Sequence, residues 1–353
     1  MMAYDIKKHT ISLNSTVFEA IKDLEALSGA VAMVLFILDE NDNIVGSVTD
    51  GDVRRGILKG VSLNDSVEKV MKKSFYFLNA GNIDLKDLHE LREKNIKLVP
   101  LLNEDKTIDG IVDLTIIRSI LPLTCVIMAG GQGIRLRPYT DTTPKPLLLL
   151  EDKPIIIHNI DRLRLYGVKK FYISINYMKD QIKDYLDNYY KNQDISINYI
   201  EEETPLGTLG SLGLVKDFSH DDILVLNADL LTNIDFEDFY RTYLEEENAM
   251  SVATFNVKVD IPYAVLETKN NKISSLVEKP TYIYYSNAGI YLFKKEFVKL
   301  IPQNKVYDAV DLIDNLIAMG KNVAHYAIRG YWLDIGKPDN YQKAKDDIGH
   351  IKF

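Results

Sequence analysis

A short apolar run, Leu123 to Met128, leads directly into Ala129-Gly130-Gly131-Gln132-Gly133-Ile134-Arg135-Leu136-Arg137-Pro138-Tyr139-Thr140, with Pro144-Lys145-Pro146-Leu147-Leu148 just beyond. The run has the length and composition of a strand. Glycines placed straight after a strand leave backbone N–H groups that no Cβ screens, so the loop can close around an anion. Arg135 adds a planar fork that meets phosphate oxygens in pairs, and Lys145 adds a compact second charge. Strand, glycine loop and two cations in one segment point to nucleoside triphosphate binding. Two other phosphate loops fail. A P-loop would need a glycine where Arg135 stands, and the dinucleotide fingerprint would need one at Leu136.

This signature resembles the sugar nucleotidyltransferases, or nucleotide-sugar pyrophosphorylases, which join a nucleoside triphosphate to a sugar 1-phosphate and release pyrophosphate. The resemblance continues to the end of the chain, so residues 123–353 are expected to form the catalytic domain. Apolar runs at Phe171 to Ile175, Ile197 to Ile200, Ile223 to Leu226 and Met250 to Phe255 read as buried strands. Helical patterns, such as Met178 to Tyr190 and Phe236 to Glu246, lie between them. That alternation predicts an α/β, Rossmann-like domain with a mostly parallel sheet, its ligands at the carboxyl ends of the strands.

The first third repeats itself. Asp39-Glu40-Asn41-Asp42-Asn43-Ile44-Val45-Gly46-Ser47-Val48 matches Asn103-Glu104-Asp105-Lys106-Thr107-Ile108-Asp109-Gly110-Ile111-Val112 without a gap. Each copy reads helix, apolar strand, polar turn, strand, helix. In the first, Val17, Ala20, Ile21, Leu24 and Leu27 share one helical face, and Thr16 and Glu19 have capping-box spacing. Residues 1–121 resemble a tandem pair of CBS domains with α+β structure, which implies a regulatory or oligomerisation module that can bind adenine nucleotides. The first copy keeps the ribose-contacting pattern at Thr49 and Asp52. Both side chains could equally cap the helix that follows. The second copy has Asp113 and Ile116 in those places, and isoleucine offers ribose no hydrogen bond.

The resemblance also assigns the remaining site. Ala129, Gly130, Gly131, Gly133, Pro205 and Gly207 are expected around the nucleotide. Asp229 and Asp334 would share Mg²⁺, a hard cation suited to one or two carboxylates plus substrate phosphates. Glu278-Lys279-Pro280, Asn287 and Tyr263 match sugar and sugar-phosphate contacts, although Ala264 replaces a common glycine. Arg135, Lys145 and Lys279 would carry the catalysis. Glu201-Glu202-Glu203-Thr204 before Pro205 resembles the guanylyltransferase branch. Those acids could read guanine or could favour a following helix N-terminus.

The expected activity is transfer of GMP from GTP to glucosamine 1-phosphate or mannose 1-phosphate. A CBS pair ahead of such a domain resembles glucosamine 1-phosphate guanylyltransferases. A uridylyl or thymidylyl transferase with the same chemistry, or a non-catalytic nucleotide sensor, are the alternatives. Lys+Arg is 42 against Asp+Glu 51, a net charge of -9, which argues against a nucleic-acid partner. The single cysteine rules out a disulfide within the chain. No apolar run suggests a signal peptide or membrane span, so a cytoplasmic enzyme without a membrane partner is expected. A homo-oligomer is expected from both resemblances.

Overall fold

Residues 6–80, 83–245 and 247–351 are described by a computed structural model. The chain divides into two units, one built on residues up to Pro122 and the other on most of the chain from Leu123 onward.

The first unit holds two three-stranded sheets of the same design. One contains Thr10–Ser12, Val34–Leu38 and Ile44–Thr49; the other contains Leu78–Asn79, Leu98–Leu102 and Ile108–Asp113. Each repeat pairs two strands antiparallel through a polar turn, and each has a bulge at the matching place, Ile37/Leu38 and Leu101/Leu102. Phe36, Ile44, Leu98, Leu102 and Ile111 form a buried cluster that draws on both repeats. The helix Val17–Ala26 buries Val17, Ala20 and Leu24, and Thr16 and Glu19 form the expected capping box. The second copy departs from expectation at its end: no helix forms between Asp113 and the strand that starts at Leu123. Asp113 instead accepts from the Thr115 backbone N–H (2.8 Å) and hydroxyl (2.6 Å). That local turn competes with a helix start, the β-branched Thr115-Ile116-Ile117 resist helix, and Pro122 stops one soon after.

In the second unit a seven-stranded sheet runs in the order Ser196–Glu201, Lys170–Ile175, Leu123–Met128, Asp222–Asn227, Thr281–Lys294, Met250–Asp260 and Val323–Ala327. Only Thr281–Lys294 pairs antiparallel to its neighbours. The mostly parallel α/β expectation therefore holds. Strands buried on both faces need continuous apolar sequence, and Leu123 to Ile127 are all buried.

Succession along the sheet reverses beside Leu123–Met128: the next two strands of the sheet in sequence extend to one side, and Asp222–Asn227 lies on the other. Such a reversal opens a crevice at the carboxyl ends. Two departures from the expected elements matter for function. Met250–Asp260 runs on beyond Phe255 and pairs with Thr281–Ser286 as an exposed two-stranded arm. The segment after Pro205-Leu206-Gly207 forms only a short 3₁₀ turn, Gly210–Leu214, rather than a helix. Glu246, the expected last residue of the helix starting at Phe236, lies outside the described residues.

Candidate active site

Register brings the site together. Leu123–Met128 and Asp222–Asn227 are paired so that Met128 faces Asn227, and the chain leaves both strands at one edge of the sheet. Ala129-Gly130-Gly131 and Ala228-Asp229 emerge there side by side. Leu230 then pairs antiparallel with Asp334, which carries the second carboxylate next to the first. The Ile335 N–H donates to the Asp229 carbonyl (3.0 Å). Beneath this layer Leu136, Leu231 and Ile335 belong to one buried cluster. Burying such side chains contributes about 1.5–3 kcal/mol each and holds down the chain next to Arg135, Asp229 and Asp334.

A cavity of about 530 Å³ lies over these ends, lined in part by Ala129, Gly130, Gly131, Gly133, Arg135, Lys145, Pro205 and Asp229. The glycines do different jobs. A Cβ on Gly131 would meet open space, so its backbone is accessible to a ligand. Gly130 packs tightly, its Cβ position 3.2 Å from Glu202 Oε1. Gly133 has φ +63°, and a Cβ there would press on Thr140 and Lys145. The buried Thr140 hydroxyl donates to the Gly133 carbonyl (2.9 Å) and closes the loop.

Lys145 is nearly buried between the two carboxylates. Its ammonium hydrogen-bonds Asp229 Oδ2 and stands 4.0 Å from Asp334 Oδ1. Asp229 Oδ1 and Asp334 Oδ1 are both buried and accept no hydrogen bond from any described residue. Burial, and then the neighbouring Asp229 carboxylate, push the Asp334 carboxyl above its ordinary pKa, while Lys145 and Arg135 pull it back. Two orphaned, converging carboxylate oxygens are a donor set that fits a hard divalent cation. Among the described residues no cluster of three or more acidic, histidine or cysteine side chains could hold a metal without help, so substrate oxygens would have to complete such a site.

Gly207 does not line the cavity. Its φ of +78° and a Cβ position 2.6 Å from Asp308 Oδ1 explain the glycine by local backbone and packing. The three glutamates also separate. Lys179 and Lys183 hold Glu201 down to about 2. Glu202 is buried, takes the Ser174 hydroxyl and accepts from the Leu206 N–H (2.9 Å). Glu203 is exposed. Since no helix follows, helix-dipole stabilisation does not account for these acids.

The four sugar-side residues lie outside the cavity lining. Tyr263 is 76% exposed, in the turn before Val265–Lys269. Glu278 and Lys279 occupy the turn before Thr281, and Lys279 has φ +45°. The two turns meet, with the Ile261 N–H donating to the Pro280 carbonyl (3.1 Å). Asn287 sits opposite Thr254, where the arm joins the sheet, and accepts from the Gly289 N–H (2.9 Å).

In the first unit Thr49 and Asp52 form a capping box. Asp52 Oδ2 takes the Thr49 N–H (3.0 Å) and hydroxyl (2.5 Å), while Oδ1 takes Arg55 (2.6 Å) and Lys72 (3.5 Å). Those contacts match the helix-capping reading of the pair.

The sequence reading missed Trp332 and Asn159. Trp332 donates Nε1–H to the Ala288 carbonyl (2.9 Å) and stacks on Phe255 at 3.9 Å, tying the strand of Asp334 to that of Asn287. Asn159 is 6% exposed on the buried face of Ile155–Leu165. A lone amide within Ile155-Ile156-Ile157-His158-Asn159-Ile160 was the available signal.

The sequence matches the CBS domain model over residues 3–59 and the nucleotidyl transferase model over residues 124–350. It is 31% identical over 226 residues to the mannose-1-phosphate guanylyltransferase catalytic subunit beta of Dictyostelium discoideum, covering 62% of each protein. It is 33% identical over 228 residues to the bifunctional protein GlmU of Methanococcus maripaludis, covering 61% of this chain and 52% of that one. The chain thus spans less than two thirds of these relatives' length. The structure of HddC from Yersinia pseudotuberculosis complexed with GMP-PN superposes with a TM-score of 0.51 and 25% identity, over 65% of this chain and all of that one. With the family model covering well over half of its length, and the glycine loop and paired carboxylates in place, this chain belongs to the nucleotidyl transferase family.

Proposed function

We propose that this protein transfers GMP from GTP to a sugar 1-phosphate, glucosamine 1-phosphate or mannose 1-phosphate, and releases pyrophosphate. The observation that carries the reading is Lys145 between Asp229 and Asp334 at the mouth of the glycine loop. The choice of GTP rests on the guanylyltransferase relatives and on the neighbour bound to GMP-PN. The first unit, read as a CBS pair, serves regulation or assembly; an adenine nucleotide at Thr49 and Asp52 would meet side chains that also form the capping box.

The chemistry is in-line displacement. A sugar 1-phosphate oxygen forms a bond to the α-phosphorus as the bond to the bridging oxygen of pyrophosphate breaks. A phosphate monoester is already anionic near neutral pH, so no general base is needed. The difficulty is bringing polyanions together and stabilising the leaving charge, which positioned cations address. The N–H groups around Gly131 hold phosphate oxygens. Arg135, whose guanidinium lies beside Gly336 and Asp334, holds the leaving phosphates. Lys145 stabilises charge around the α-phosphate. Lys279, in the turn at the end of the arm, receives the sugar phosphate, and Tyr263, Glu278 and Asn287 receive the sugar.

Asp229 and Asp334 would hold Mg²⁺, which supplies charge neutralisation and Lewis acidity to the phosphates. Replacing Asp229 by Asn should abolish pyrophosphate release and weaken metal binding together. Full turnover in D229N would remove the carboxylate pair from the mechanism.

A further inference from the structure

The loop carrying Asp229 has a side chain dedicated to holding it. Asn159 Nδ2 faces the carbonyls on both sides of Asp229, Leu230 O at 3.0 Å and Ala228 O at 3.3 Å, with Ile155 O of its own helix at 3.4 Å. An amide has two N–H donors. Turned the other way, its oxygen would face three carbonyls, so the surroundings fix its orientation.

Backbone pairing restrains the same loop elsewhere. The Ala228 N–H donates to the Met128 carbonyl (3.0 Å), and the Asp229 carbonyl accepts from Ile335. The two carbonyls at Asn159 are met by a side chain. Without that donor they would be buried beside an aspartate whose Oδ1 already lacks a partner. Carbonyls relieve such a loss by rotating their peptide planes; the Ala228 carbonyl lies in the plane that enters Asp229 and the Leu230 carbonyl in the plane one residue beyond it, so such rotation re-aims the Asp229 carboxylate.

We propose that Asn159 is a positioning residue: it fixes the peptide plane that enters Asp229 and the one that leaves Leu230, and so sets the separation of Asp229 and Asp334 for a divalent cation. This rests on the reading of those carboxylates as the metal pair.

The test uses the full chain with Asn159→Leu, which keeps the branched shape and removes the donors, and Asn159→Ser, which is too short to reach both carbonyls. Asp229→Asn is the control. Binding of Mn²⁺ alone is read from the free-ion EPR signal, beside kcat, KM for GTP and circular dichroism. Both Asn159 variants should lose metal affinity and turnover by about 10- to 100-fold, the range for residues that support metal ligands. KM for GTP should stay within about twofold, because the glycine loop keeps its own contacts. Wild-type Mn²⁺ affinity in either folded variant would overturn the proposal, as would a rise in KM for GTP as large as the loss of Mn²⁺ affinity in both. Retained affinity in D229N would overturn the carboxylate reading itself.

Discussion

Lys145 carries two charges' worth of work on one ammonium. It neutralises Asp229, stands within reach of Asp334 and lines the cavity where phosphates would lie. Removing it should leave two carboxylates facing each other and the α-phosphate without a cation. Lys145→Ala should lower kcat for pyrophosphate release by at least about 100-fold, near 3 kcal/mol of transition-state stabilisation, with the folded spectrum unchanged. A second residue-scale prediction concerns Glu201. Its pKa falls from 4.5 to about 2 because Lys179 and then Lys183 hydrogen-bond its carboxylate. A depressed folded-state pKa stabilises the protein above the unfolded value and loses that stabilisation as pH falls toward the folded one. Glu201→Gln should therefore lower Tm at neutral pH. The gap should close between about pH 4.5 and pH 2, and narrow with salt because the pairs are exposed. Differential scanning calorimetry across that range checks it.

At the scale of elements, what was legible in the sequence follows from how local the cause is. The glycine loop was readable because its glycines, Arg135 and Lys145 are contiguous or nearly so. The joining of Asp229 to Asp334 is a register fact, Leu230 against Asp334, which resemblance supplied and composition could not. The missing helix after Asp113 was hidden by the repeat itself, since a matched sequence suggests a matched element while one Asx turn is enough to divert the chain. Gly207 was placed at the nucleotide, but its φ and its approach to Asp308 explain it from within the loop. Gly207→Ala should accordingly cost about 1–3 kcal/mol of stability, seen as a lowered Tm, because the left-handed backbone and the contact are both strained. The exposed arm went unread beyond Phe255 because Asn256-Val257-Lys258-Val259-Asp260 alternates apolar and polar residues and lacks the continuous apolar run that marks the buried strands.

For the whole molecule, the sheet supplies a crevice, two adjacent strand ends supply the loop and one carboxylate, and a distant strand supplies the other. Tyr263, Glu278 and Lys279 stand in turns at the end of the arm, outside the cavity lining. No described helix is long and apolar enough to cross a membrane. The most direct test is pyrophosphate release with Mg²⁺, crossing four nucleoside triphosphates with glucosamine, mannose, glucose and heptose 1-phosphates, beside the Lys145→Ala chain. Release that requires GTP, favours glucosamine or mannose 1-phosphate and collapses in Lys145→Ala is the predicted result. Folded wild-type protein that releases no pyrophosphate with any pair, with or without added adenine nucleotide, or that releases it equally well without Lys145, would contradict the account.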